Sequence, residues 1–179
     1  MDFHLTKEQQ AIQEKARDFA QRHIEPIAAE VDRTSKLPPD LPAKFGQAGL
    51  LGMKVPTALG GLGLDCLNWV LAMEQLSYPA SACSSLMATS NSVAEAIARF
   101  GNEAQKRKYV GPLCRGDEVG SLAFTEPATG SDPRAIETTA TLDGDSYVIN
   151  GTKRFITNAA YPGPAIVFAR TSPEAVSAI

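Results

Sequence analysis

In the first third of the chain, apolar residues recur at helical spacing. Ile12, Ala16, Phe19, Ala20, Ile24, Ile27 and Val31 fall on one stripe with charged residues between them. The stripe predicts an amphipathic helix reaching Asp32, and Thr6 with Gln9 reads as the capping box that starts it. A second helix is predicted after the following prolines, from Pro39 to Ala48, stopped by Gly49. Helices near Asp65–Tyr78, Ser81–Phe100 and Glu103–Leu113 complete the set, with Gly101 as the stop before the last of them.

The pattern changes at Arg115-Gly116-Asp117-Glu118. Beyond it, Val119–Phe124, Ala135–Leu142, Ser146–Asn150, Lys153–Thr157 and Ala165–Arg170 read as strands separated by turn residues. Asp143-Gly144-Asp145 and Asn150-Gly151 read as hairpin turns, because Asn or Asp followed by Gly suits the positive φ angles of two-residue loops. The expected fold class is therefore α+β: an N-terminal all-helical domain over residues 1–116, then an antiparallel β unit over residues 117–179. Thr171-Ser172-Pro173-Glu174 reads as a turn, and Ala175–Ile179 as the start of another apolar stretch. A unit left in that condition has an open edge and a half-covered face, which further polypeptide or another chain is expected to cover.

Composition narrows the partners. A hydrophobic content of 44% is ordinary for a packed protein. The net charge of -3, with Lys and Arg scattered except at Lys106-Arg107-Lys108, provides no basic field for nucleic acid. No apolar run approaches the roughly 20 residues that cross a bilayer, and Met1-Asp2-Phe3-His4 leads into polar helix signals rather than a signal peptide. A cytoplasmic protein without a membrane partner is expected. Cys66, Cys83 and Cys114 are odd in number and lack a C-x-x-C pair, so reduced thiols are expected, with no disulfide frame and no metal site.

Two runs stand out chemically. In Phe124-Thr125-Glu126-Pro127-Ala128-Thr129-Gly130-Ser131-Asp132, Pro127 fixes its own φ and pushes Glu126 into an extended conformation, so the strand must end in a bend. Gly130 lets backbone approach a ligand, and the Thr125 and Ser131 hydroxyls can donate to carbonyl, ring-nitrogen or phosphate acceptors. In Asn150-Gly151-Thr152-Lys153-Arg154-Phe155-Ile156-Thr157-Asn158, strand alternation places Phe155 and Thr157 on one face as an aromatic plate beside a hydroxyl. Such a pair suits a flavin, flat and apolar on its face and polar at its rim. Each run taken singly also reads as an ordinary polar turn or a half-buried hairpin strand.

Other features read more plainly. Gly60-Gly61-Leu62-Gly63 lacks the G-K-[ST] ending of a P-loop and reads as a loop joining helices. His4 and His23 stand apart from any carboxylate pair. The small-residue helix with Ser81, Ser84, Ser85, Ser90, Ser92, Met87 and Asn91 suits either an acyl channel or close helix packing.

Together, T-E-P-x-x-G-S-D and N-G-x-K-x-x-I-T-N resemble the paired signatures of the acyl-CoA dehydrogenase family. Leu5-Thr6-Lys7-Glu8-Gln9-Gln10, Gly60-Gly61-Leu62-Gly63-Leu64-Asp65, and Phe100-Gly101 leading to Lys106-Arg107-Lys108-Tyr109 are similar to that family in order and spacing. The resemblance implies an N-terminal helical domain plus part of the middle β-barrel domain, without the C-terminal helical bundle. It implies FAD as cofactor, an acyl-CoA substrate, an electron-transfer flavoprotein as partner, a homo-oligomer, and a place in fatty acid metabolism. Leu122, Phe124 and Thr125 match positions on one flank of the flavin, with Thr125 bonding the pyrimidine edge. Gly130 and Ser131 match the turn that contacts the cofactor phosphates or the acyl-CoA, Ser131 being the substrate contact. Phe155 matches an aromatic, commonly Trp, packed on the ring, and Thr157 the hydroxyl that bonds N5.

Four departures bear on the acyl class. Leu122 stands where an aromatic is frequent, Ala128-Thr129 where Gly-Ala is usual, and Pro133 stiffens the turn after Asp132, while Phe155 keeps the apolar plate of the usual Trp but lacks its indole N–H. The family reaction removes the α-proton with a carboxylate and passes the β-hydrogen as hydride to flavin N5, and its base lies in the C-terminal domain. No residue of this chain matches that base. The expectation is thus a dehydrogenase portion without its catalytic residue. The alternatives are a non-catalytic relative that binds flavin or acyl-CoA, and a related flavin oxidase or monooxygenase.

Overall fold

The computed structural model describes residues 4–179, so the signal-peptide reading of Met1-Asp2-Phe3 lies outside the described residues. Helix α1 (Lys7–Phe19) starts at the expected capping box: Thr6 Oγ1 accepts from the Gln9 N–H at 3.2 Å, and Gln9 Oε1 accepts from the Thr6 N–H at 2.9 Å. The helix does not run unbroken to Asp32. It widens into a π turn at Ala20–Ile24, tightens into a 3₁₀ turn at Glu25–Ile27, and resumes as α2 (Ala28–Thr34). Pro26 is the cause: it has no N–H for the Arg22 carbonyl and its ring crowds that group, so the Glu25 N–H reaches back to the Ala20 carbonyl instead.

Helices α3 (Leu41–Gln47), α4 (Cys66–Ser77), α5 (Ser81–Phe100), α6 (Glu103–Gln105) and α7 (Gly111–Arg115) follow. A second π turn, Lys106–Val110, precedes Pro112 by the spacing seen before Pro26. Asp65 caps α4 by accepting from the Asn68 N–H at 2.8 Å. The glycines at 60–63 join helices, as read from the sequence, with the Gly63 N–H donating to the Val55 carbonyl and the Leu64 N–H to that of Met53.

Two apolar clusters hold these helices together. The larger gathers Ala16, Phe19 and Ile24 of the sequence stripe against Phe45, Leu50, Leu76 and Leu86, with Phe19 stacked on Phe45 at 4.7 Å between centroids. The smaller joins Val55, Val93, Val110 and Leu113 to Leu122 and Ile166 of the β region. Of the two readings of α5, the structure supports packing. Asn91 Nδ2 donates to the Leu50 carbonyl at 3.0 Å, its Oδ1 accepts from the Met53 N–H at 3.1 Å, and Ser84 and Ser90 are buried.

The sheet comprises β1 (Ser121–Ala123), β2 (Thr139–Asp143), β3 (Ser146–Asn150), β4 (Ala165–Ser172) and β5 (Ala175–Ala178), in the order β1-β4-β2-β3 with β5 on β4. The α-then-β order holds, but the unit is mixed rather than purely antiparallel. β1 pairs parallel with β4 from Ser121↔Ala165 to Ala123↔Val167, and β2 meets β4 in parallel at Thr139↔Arg170. Only β2–β3 and β4–β5 are antiparallel, the two pairs joined by tight turns. Ala135–Leu142 is also shorter as a strand than expected. It opens as a 3₁₀ turn, Pro133–Ala135, which the Arg170 guanidinium pins through the Arg134 carbonyl at 2.6 Å and the Ile136 carbonyl at 3.1 Å.

The expected strand Lys153–Thr157 is a loop, and Asn150-Gly151 is not a hairpin turn. Gly151 has φ +155°, and a Cβ there would lie 2.7 Å from Thr138 Cα, so the chain leaves β3 pressed against the residue before β2. Gly120, leading into β1, sits as tightly on α5: its N–H donates to Ser90 Oγ at 3.2 Å, and an added Cβ would lie 2.5 Å from Val93 Cβ.

Candidate functional site

Leu122 and Phe124, two residues apart on β1 and its extension, share a face by strand alternation. Leu122 lines an apolar cavity of about 560 Å³ between α5 and the sheet, with Ile97, Tyr109, Ile166 and Phe168 among its walls. Phe124 stands edge-on to Phe168 at 5.0 Å between centroids. After Phe124 the chain turns back on itself: the Glu126 N–H donates to the Thr129 carbonyl at 2.8 Å, and Thr129 Oγ1 donates to the Asp132 carbonyl at 2.9 Å. Gly130 and Ser131 lie exposed at the tip of this turn. A Cβ at Gly130 would meet only Thr125 Cγ2, at an ordinary 3.6 Å, so internal packing does not demand glycine there.

Glu126 is buried, only 4% exposed. Its Oε2 accepts from the Glu137 N–H at 2.7 Å, and its Oε1 accepts from the Thr138 N–H at 2.9 Å and from Lys153 Nζ at 2.8 Å. Burial alone would raise the carboxyl pKa, but the Lys153 ammonium and the converging N–H donors outweigh it and hold the group down at about 2. It is a structural carboxylate, fully ionised and fully committed.

The second run lies alongside the first. Lys153 Nζ also donates to the Phe124 carbonyl at 2.9 Å, the Arg154 N–H donates to the Thr125 carbonyl at 2.9 Å, and Asn158 Nδ2 donates to the Gly120 carbonyl at 3.0 Å and the Leu86 carbonyl at 3.1 Å. Residues 153–158 therefore run antiparallel to β1, from its end back to its beginning, without a strand ladder. Phe155 has φ +57° and Asn158 φ +71°, so the expected alternation placing Phe155 and Thr157 on one strand face does not hold. Both side chains are exposed, Phe155 by 77%, with the Arg154 guanidinium 4.1 Å from its ring centroid.

The structure thus brings Leu122, Phe124, Thr125 and Gly130 to one end of the sheet and ties the loop bearing Phe155 and Thr157 beside them. The sequence assigns no role to Lys153 or Asn158, while Glu126 reads there as a structural residue of the T-E-P turn, as its bonds now show. The one available signal was the pairing of an acid in the first run with a base in the second. The three cysteines are free, with Cys83 and Cys114 buried, and no group of metal-ligating side chains occurs among the described residues.

Comparison with known proteins places this arrangement. Residues 6–117 match the acyl-CoA dehydrogenase N-terminal domain and residues 121–178 the acyl-CoA dehydrogenase middle domain. The chain is 40% identical over 172 residues to the short-chain-specific acyl-CoA dehydrogenase of Clostridium acetobutylicum, covering 96% of this chain and 45% of that protein. It is 43% identical over 168 residues to the human mitochondrial short-chain-specific acyl-CoA dehydrogenase, covering 93% of this chain and 41% of that protein. It superposes with a TM-score of 0.92 and 30% identity on a glutaryl-CoA dehydrogenase from Mycobacterium smegmatis solved in complex with FADH2, covering 97% of this chain and 45% of that one. The chain spans less than half the length of each of these proteins, and by both domain matches it belongs to the acyl-CoA dehydrogenase family.

Proposed function

We propose that this chain supplies the flavin-binding portion of an FAD-dependent acyl-CoA dehydrogenase, acting in α,β-dehydrogenation of an acyl-CoA thioester. The observation that carries the reading is the union of the two runs. Lys153, Arg154 and Asn158 hold the Phe155–Thr157 loop against the strand that bears Leu122, Phe124 and Thr125. The donor set fits a flavin. Leu122, Phe124 and Phe155 provide apolar surface, while the exposed Ser131 and Thr157 and the half-buried Thr125 provide hydroxyls for a polar rim. Gly130 has no internal packing reason to be glycine, which suits a close approach by phosphate or acyl-CoA next to Ser131.

FAD, when bound, supplies the hydride acceptor. In this reading Thr125 addresses the pyrimidine edge, Thr157 the ring nitrogen N5, Phe155 the ring face, and Gly130 with Ser131 the phosphates or the thioester substrate. The α-proton acceptor lies outside these residues, because the carboxylate within the site, Glu126, is buried, ion-paired and held at about 2. The two relatives are named for short-chain substrates, so a short acyl-CoA is the first to test. An electron-transfer flavoprotein as electron acceptor and a homo-oligomeric assembly are parts of the same proposal.

The test is FAD titration of the purified 179-residue chain, followed by flavin fluorescence, together with an assay using a short acyl-CoA and an artificial electron acceptor. Binding without turnover is expected. Turnover by the chain alone refutes the absent base, and a chain that leaves FAD fluorescence and absorbance unchanged refutes the flavin site.

A further inference from the structure

Side chains, with one backbone bond from the Arg154 N–H to the Thr125 carbonyl, do for residues 154–157 what a strand ladder does elsewhere in the sheet. At one end Lys153 Nζ bridges the Phe124 carbonyl and Glu126 Oε1, and at the other Asn158 Nδ2 bridges the Gly120 and Leu86 carbonyls. Between these posts, the N–H groups of Phe155, Ile156 and Thr157 make no backbone hydrogen bond among the described residues. Phe155 is held at φ +57°, a conformation that costs a non-glycine residue, yet its ring is 77% exposed and no core packing repays the strain. A segment anchored at both ends, strained in the middle and carrying three successive unpaired N–H groups is shaped for something outside the chain.

We propose that Lys153, Glu126 and Asn158 are positioning residues that suspend Phe155 and Thr157 between the two ends of β1, where they would contact a bound flavin. The proposal rests on the flavin reading above and adds the cause of the loop's shape. The Lys153–Glu126 pair is 11% and 3% exposed, so it forms a fixed post rather than a solvated ion pair. Asn158 makes the opposite post across α5, so that helix and strand together set the loop's register.

The experiment uses the full chain in three forms: wild type, the double variant Glu126→Gln with Lys153→Met, and Asn158→Ala. The double variant removes both charges and leaves no lone ion buried. Expected are wild-type helical circular dichroism, exchange of the hydrogen-bonded Arg154 and Ala159 amides faster by about tenfold or more in both variants, and FAD binding weaker by about tenfold or more, with a broadened flavin absorbance band. Unchanged exchange in both variants overturns the proposal. So does failure of both to fold, which makes these residues requirements of the fold and not of the loop. A wild-type chain that binds no FAD refutes the flavin reading itself. The exchange rates then still decide whether the posts hold the loop.

Discussion

Glu126 and Lys153 meet at 2.8 Å in a nearly closed environment, and the pH at which they part is set by the carboxyl. Its folded pKa of about 2 lies below its ordinary 4.5, so its contribution to stability is complete above the higher value and is lost as pH falls through the lower one. The shift corresponds to about 3 kcal/mol. Urea unfolding measured between pH 5 and about pH 2 is expected to show that loss, and Glu126→Gln to flatten it while costing about 3 kcal/mol at neutral pH by leaving Lys153 unpaired. Equal slopes in the two proteins would show that other carboxylates govern acid unfolding. Phe155 is a second residue whose stability and binding roles part. Phe155→Gly relieves the positive φ and removes the exposed ring. The variant is expected to unfold within about 1 kcal/mol of wild type and to bind FAD more weakly, as seen by thermal melts and flavin titration. A large loss of stability with intact FAD binding would contradict the assignment of this ring to the ligand.

At the scale of elements, Gly120 controls how the sheet sits on the helices. Gly120→Ala forces a methyl against Val93 on α5 and is expected to cost about 2 kcal/mol, read as a lower urea midpoint. What the sequence revealed and concealed has the same local logic. The buried stripe Ala16, Phe19, Ala20, Ile24 and Val31 was legible because helical contacts recur every turn, and the Thr6–Gln9 box because a cap is local. The hairpin β2–β3 was legible in Asp143-Gly144-Asp145, whose Gly144 has φ +60°. The parallel partnership of β1 with β4 was not, since no turn residue marks a pairing between distant segments. Residues 153–157 misled for a more specific reason. They do lie antiparallel beside a strand, but apart from the single Arg154 backbone bond the connections are made by the Lys153 and Asn158 side chains, and side-chain anchoring leaves no period-2 trace. Leu122, Phe124, Thr125, Gly130 and Ser131 could be singled out in the sequence as residue types, whereas the contacts of Lys153 and Asn158 appear only once both runs are in place.

Across the whole molecule the apolar surface is uneven. All five residues of β3 are exposed, and the face that begins with buried Ala140 continues outward through Leu142, Tyr147 and Ile149, with Leu142 opposite Tyr147 and Ala140 opposite Ile149. An apolar hairpin ending in an open edge favours self-association. Sedimentation of the 179-residue chain is expected to give a mass that rises with concentration, and Ile149→Lys to suppress the rise; a monomer at every concentration would refute this. The topology of β1 also has a consequence in time. The β2–β3 hairpin closes over a two-residue turn within microseconds, whereas Ser121 must wait for Ala165 to exist and to arrive. During synthesis, both chemical runs therefore leave the ribosome before the strand that seats the first of them, and the sheet gains its β1 partner only as β4 emerges.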